Sequence, residues 1–318
     1  MTSMLSRPPV LLAQLPTWFS ATGYVALGAV AALAALVAAY FALRLALPKV
    51  AAIALTTGKA ALAHPLFWVE ILGAAFVMIL FFPFTPYYTF GEDIKMLKSS
   101  GLTLILVMSV ILALWTASTS VADEIEGRTA LTLLSKPIRR WQFIVGKYLG
   151  ILGPVFLMFV ILGAVFLCTV SYKASYDAYE TASPQPTIEQ CHAEIWQITP
   201  GLFLAFLGTA VLTAISVAIS TRLPMMANLM ICSTIYVLGN LIPTLVESSM
   251  GQFQLVRFMG GLLATVLPVL DYFNIEAGIA AGVKVSPAYL AWATLYAALY
   301  SGAALLVALI LFEDRDLA

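Results

Sequence analysis

Hydrophobic and polar positions fall into blocks along this chain instead of alternating residue by residue. A helix needs about 20 mostly apolar residues to cross a bilayer. Runs near that length recur at 21–47, 66–83, 101–121, 148–170, 201–220, 226–246 and 288–312. The last five hold no Asp, Glu, His, Lys or Arg; the first two hold only Arg44 and Glu70. The pattern predicts an all-α polytopic membrane protein. The run at 21–47 is too long, and its basic start too weak, for a signal peptide.

The intervening blocks have characters of their own. Residues 49–64 mix Lys49, Thr56, Thr57 and Lys59 with small apolar residues and end at Pro65; they read as a helix lying in the membrane interface. Tyr172, Tyr176 and Tyr179 recur at helical spacing, as in an aromatic belt. The apolar segment Leu255 to Leu270 is short and broken by Gly260, Gly261 and Pro268, which suits a packed surface helix better than another span. Lysine and arginine set the orientation. With residues 122–147 in the cytoplasm, ten of the sixteen basic residues lie on that side and six on the other. Seven spans then put the N-terminus outside and the C-terminus inside; if 21–47 does not cross, six spans leave both ends in the cytoplasm.

Composition agrees with the pattern. The 318 residues are 62% hydrophobic and 10% charged, with a mean hydropathy of +0.97, against roughly half and a quarter in soluble domains. A formal net charge of zero gives nucleic acid no electrostatic footing, so none is expected as a partner. Cys168, Cys191 and Cys232 have no metal or disulfide spacing and read as small packed hydrophobes.

One polar stretch stands out, Ala122 to Gly150. It carries Asp123, Glu124, Glu126, Arg128, Lys136, Arg139, Arg140 and Lys147, a quarter of all acidic and basic residues in under a tenth of the chain. Glu124 and Glu126 continue the helix that leaves the membrane at Val121, and Gly127 weakens it. Thr129 to Ser135, with Leu131, Leu133 and Leu134, is too short and too polar-flanked to re-enter the bilayer. Lys136 precedes Pro137, which disfavours helix at Lys136 and starts a new one at Pro137. Arg139, Arg140 and Lys147 are expected at the cytoplasmic interface, beside Trp141. Helix, bend, short exposed helix and proline restart together make a rigid projection. Exposed leucines beside charges ask for a protein partner.

The motif from Asp123-Glu124-Ile125-Glu126-Gly127-Arg128-Thr129 through Ser135-Lys136-Pro137 to Phe143 and Gly146-Lys147 resembles the signature of type-2 ABC transporter permeases. Gly91-Glu92-Asp93-Ile94-Lys95 and Phe312-Glu313-Asp314-Arg315-Asp316 are similar to the family as well. The resemblance runs from about Ala51 to the C-terminus. It implies a domain 49–318 with an interfacial helix at 49–64, six family spans and a cytoplasmic coupling helix. An N-terminal extension, 1–48, would add a further transmembrane helix. It also implies a multi-pass cell-membrane subunit that pairs with a second permease subunit, as homodimer or heterodimer, and exports its substrate. Separate ABC ATPase subunits would dock on Glu124, Glu126, Gly127, Arg128, Thr129, Leu133, Leu134, Ser135, Lys136 and Pro137.

Other chemistries find less support. No G-x-x-x-x-G-K-[ST] motif occurs: Ile53 and Trp141 stand where the first glycine would be. No catalytic residue or cofactor is therefore expected in this chain, and ATP with Mg would sit on the partner. His64 and His192 fall on opposite sides of the expected topology, and no metal-ligand spacing is present. An ATPase-independent secondary transporter or channel is the rival reading. It would need ionisable groups at membrane depth, and only Glu70 qualifies; a position near its span end lets that carboxylate reach the interface. Gly146-x-x-x-Gly150 suits close helix contact, more readily within one subunit than between two.

Overall fold

The computed structural model describes residues 17–81, 93–122, 139–180, 184, 186–247, 258, 260–263 and 267–313. The described residues form helices and turns without strands. The long elements are α1 (Thr17–Ala46), α2 (Pro48–Ala63), α3 (Pro65–Phe76), α4 (Asp93–Ala117), α5 (Arg140–Glu180), α6 (Ile188–Ser220) and α7 (Met225–Glu247). A 3₁₀ turn at Leu270–Phe273, a short α8 (Glu276–Ala280) and α9 (Pro287–Glu313) follow. Single π-helical turns extend α3 over Val77–Phe81 and α4 over Ser118–Ala122.

Helices α1, α4, α5, α6 and α9 are each long and apolar enough to cross a membrane, and α2 with α3 qualifies as one bent span. The apolar part of α7, Met225–Leu241, is shorter. In hydrocarbon every backbone N–H and C=O must be satisfied internally, which is why the apolar runs become helices. Serines and threonines inside the spans are handled locally: Ser118, Thr169, Ser171, Thr209 and Thr213 each donate to the carbonyl four residues back.

Proline fixes the elbow between α2 and α3. Pro48 and Pro65 occupy the first turns of their helices, where a missing N–H costs nothing. His64, with φ −71° and ψ 133°, has the extended conformation that a following proline favours. Its Nδ1 accepts from the Leu66 N–H at 3.2 Å, capping α3. The two helices meet at 59°. At the start of α6, Thr187 and Gln190 form a reciprocal capping box.

Glycines let α2 lie directly on α5. A Cβ at Gly146 would come within 2.8 Å of Ile53, and one at Gly150 within 2.8 Å of the Ala54 carbonyl oxygen. These glycines therefore serve packing within the subunit. Phe166 of α5 occupies the space a side chain at Gly101 of α4 would need. The core continues through Leu102, Ile105, Ile151, Met158, Leu162 and Ile198, all fully buried between α4, α5 and α6. α9 packs along α6, and α1 lies against α5, α2 and α6. Most of α1 stays open, with Tyr24, Leu27, Val30, Val37, Phe41 and Leu45 exposed.

Contacts at the two ends show how the helices run. One end gathers Ser118 with Asn228, Arg222 with Leu311, and Phe143 stacked on Phe312 at 5.6 Å. The opposite end gathers Lys98 with Glu194, Thr103 with Glu276, and Tyr289 with Tyr272. Successive spans thus alternate in direction. Tyr24 meets His192 at 3.9 Å between ring centroids, placing the start of α1 at the second end. The expected surface helix at Leu255 to Leu270 lies mostly outside the described residues. Its close tucks inward: Leu270 and Phe273 are buried, packed on Gly239 and Gly208 of the bundle.

Candidate functional site

The end of the molecule where α4 stops and α5 begins is the candidate site, because the charged stretch joins them there. Glu124, Glu126, Gly127, Arg128, Thr129, Leu133, Leu134, Ser135, Lys136 and Pro137 lie outside the described residues. Their two anchors are described. On one side is the π-turn Ser118–Ala122; on the other is Arg139, whose N–H donates to the Gln142 side chain at 3.1 Å to open α5.

The π-turn is tied to two other spans through Asn228 near the start of α7. Its amide nitrogen donates to the Ser118 hydroxyl at 2.8 Å and to the Ser216 hydroxyl of α6 at 2.9 Å. The Asn228 amide oxygen accepts from Cys232 Sγ at 3.2 Å. Asn228, Ser118, Ser216 and Cys232 are all buried. A fully satisfied polar network of this kind fixes one geometry, since any partial rupture leaves buried donors or acceptors unmade. π-turns often mark functional positions in helices, because the extra residue widens the turn and frees a carbonyl. Here the widened turn carries Ser118 to Asn228. Arg222, in the turn between α6 and α7, extends the same end to α9 by donating from Nε to the Leu311 carbonyl at 2.8 Å.

The basic residues at this end occupy different depths. Arg139 is exposed and Arg140 half-buried. Lys147 is buried, with its ammonium 5.6 Å from the Phe143 ring centroid. It lines a polar cavity of about 310 Å³ bounded by α2, α4 and α5, together with Thr57, His64, Trp115, Thr119 and Ser120. The Thr57 hydroxyl, the Trp115 indole nitrogen and the Ser120 hydroxyl are buried there without a hydrogen-bond partner among the described residues. Polar atoms of that kind favour water or further polar chain as the filling. The sequence placed Lys147 at the membrane interface; hydropathy has no means of telling a lipid-facing lysine from one turned inward toward α2 and α4.

Glu70 also turns inward. It shares the face of α3 that holds Phe67, Ile71 and Ala74, and is buried against the bundle. Neither of its oxygens has a hydrogen-bond partner among the described residues. At the opposite end Lys98, nearly enclosed, pairs with Glu194 and lies 3.5 Å from the Gln197 side-chain oxygen. Lys173 pairs with Asp177 at 2.9 Å one turn along α5. Sequence reasoning missed Asn228 and the Lys98–Glu194 pair. The Lys98 and Glu194 pairing spans nearly a hundred residues, which no local pattern records.

Among the described residues no three His, Cys, Asp or Glu side chains come together as metal ligands. The site is a junction of polar contacts between helices, set beside a charged segment. No curated protein matches the chain. The family model for ABC-2 family transporter proteins matches residues 49–317, from the start of α2 to the C-terminal segment and including the whole charged stretch. With the match extending over most of its length, the chain belongs to the ABC-2 family of transporter proteins, as a multi-pass membrane permease.

Proposed function

We propose that this permease exports its substrate under the drive of separate ATP-binding subunits, which dock on the segment from Glu124 to Pro137. Two permease subunits, alike or different, form the path between them. The Asn228 network carries the proposal. It joins the helix leading into the docking segment to α6 and α7, so a displacement beyond Ala122 is felt by three spans together. The acidic pair Glu124 and Glu126, the leucines and Ser135-Lys136-Pro137 supply the charge and apolar area for the ATPase contact. Arg139 and Arg140 stand at the cytoplasmic membrane surface. Spans free of Asp, Glu, His, Lys and Arg suit an apolar or amphipathic substrate taken from the membrane. Nucleotide and magnesium chemistry belongs to the partner.

The test is copurification with the cognate ATPase combined with charge reversal. Glu124→Lys with Glu126→Lys is expected to abolish complex formation while membrane insertion continues. Transport should stop when the ATPase is inactivated in its own nucleotide site. Retention of the complex after reversal overturns the docking assignment, and transport by the permease alone overturns the mechanism. The buried Glu70 favours a second reading, ion-coupled transport without an ATPase. That reading requires Glu70→Gln to abolish transport, whereas the ATP-driven reading has activity survive it.

A further inference from the structure

Helices α1, α2 and α5 do not close on one another completely. They leave a lateral groove of about 650 Å³, walled by Leu36 and Tyr40 of α1, Leu55 and Leu62 of α2, and Leu157 of α5. Its floor is the α5 backbone at Gly153, where an added Cβ would meet nothing within 4 Å. Three residues earlier, at Gly150, the corresponding space is filled by Ala54 and Thr57. Among the described residues Lys59 is the only charged one lining the groove, and it is exposed.

We propose that this groove holds one phospholipid with a net negative headgroup. Its acyl chain lies along α5 over Gly153, and its phosphate meets Lys59. Two walls of the groove are membrane-spanning helices, so it opens into the bilayer. An apolar recess excludes water, and a chain of methylenes is the filling available at that depth. The single lysine decides the headgroup: its flexible stem lets the ammonium reach the interface while its methylenes remain on the apolar wall, where an anionic lipid complements it. One wall belongs to α1, which lies outside the family match. The lipid therefore ties the N-terminal helix to the transporter domain. This site stands independently of how the ATPase docks.

Native mass spectrometry of the full-length chain, titrated separately with phosphatidylglycerol and phosphatidylcholine, tests the assignment. One bound phosphatidylglycerol per chain is expected, preferred about fivefold, the usual contribution of one lysine near an anionic surface. Lys59→Gln removes the preference, Lys59→Arg retains it, and Gly153→Leu, which fills the groove, displaces both lipids. Equal binding of the two lipids to the unaltered chain overturns the headgroup assignment. Binding unaffected by Lys59→Gln and Gly153→Leu shows only bulk lipid and overturns the site. Efficient disulfide formation between Gly153→Cys copies in membranes makes the groove an interface between two chains, and that also overturns it. If Gly153→Leu fails to fold, the exposed Lys59 pair of variants decides the matter alone.

Discussion

The amide of Asn228 hydrogen-bonds the hydroxyl of Ser118 at 2.8 Å, joining the first turns of α7 to the π-turn that ends α4. The same amide holds Ser216, so one side chain fastens three helices, α4, α6 and α7.

Replacing Asn228 with leucine leaves two serine hydroxyls and a thiol without their shared partner. Hydrogen bonds between membrane helices contribute about 0.6 kcal/mol on average and up to about 1.7. A loss of about 1–2 kcal/mol in thermal stability is expected, with ATP-driven transport falling further than stability does. Adding Ser118→Ala to Asn228→Leu should cost less than the two single changes summed. Strict additivity in a double-mutant cycle would deny the coupling.

The glycines of α5 make a second, position-specific forecast. Gly150→Ala drives its Cβ to 2.8 Å from the Ala54 carbonyl oxygen and forces α2 off α5. Gly153→Ala meets no neighbouring helix within 4 Å, and its gain in helix propensity, about 0.5–1 kcal/mol relative to glycine, is offset by the ring of Pro154, which opposes a Cβ on the residue before it. Melting temperature in detergent should drop clearly further for the first than for the second. Equal behaviour of the pair would show that α2 does not rest on α5 at Gly150.

At the opposite end the ion pair is asymmetric, since Lys98 is nearly enclosed while Glu194 is over a third exposed. Among the described residues, Glu194→Ala leaves a buried ammonium with only the Gln197 oxygen at 3.5 Å. Lys98→Met strands a carboxylate that already sees water. Breaking a fully buried pair costs about 3–5 kcal/mol. We expect less than that here, with Glu194→Ala the more damaging change by thermal unfolding.

Glu276 provides a pH signature. Burial raises its carboxyl above the ordinary value, and the hydrogen bond from the Thr103 hydroxyl at 2.5 Å lowers it in part. The folded state then keeps a proton that the unfolded chain releases from about pH 4.3 upward. Its contribution to stability is present below that pH and is lost as pH rises through the raised folded value. Glu276→Gln should flatten melting temperature against pH over that interval, and an unchanged slope would remove Glu276 as its source.

Much of this architecture can be read in the residues. Apolar runs announce spans because a bilayer demands internal hydrogen bonding, and Pro65 announces the elbow because it disfavours helix at His64. The charged stretch beyond Ala122 and its family resemblance required no coordinates. Helix lengths were not legible: α5 runs on through Ser171, Tyr172 and Lys173 to Glu180, where hydropathy falls but Ser171, Lys173, Ser175 and Ala178 stay buried. Nor was Asn228, since an asparagine in an apolar run looks alike whether it faces lipid or two serines. Facing direction also decided Lys147 and Glu70, both turned inward by the face of the helix on which they sit.

The 41 residues of α5 span roughly 60 Å at about 1.5 Å each, close to twice the hydrocarbon thickness. Motion at the Arg139 end is therefore geared up. A tilt of only about 5° about that end, if α5 moves as one rod, carries Glu180 sideways by about 5 Å, roughly one helical pitch. On that condition, a small change of angle set at one end of α5 arrives at the other as a shift about as large as one turn of the helix.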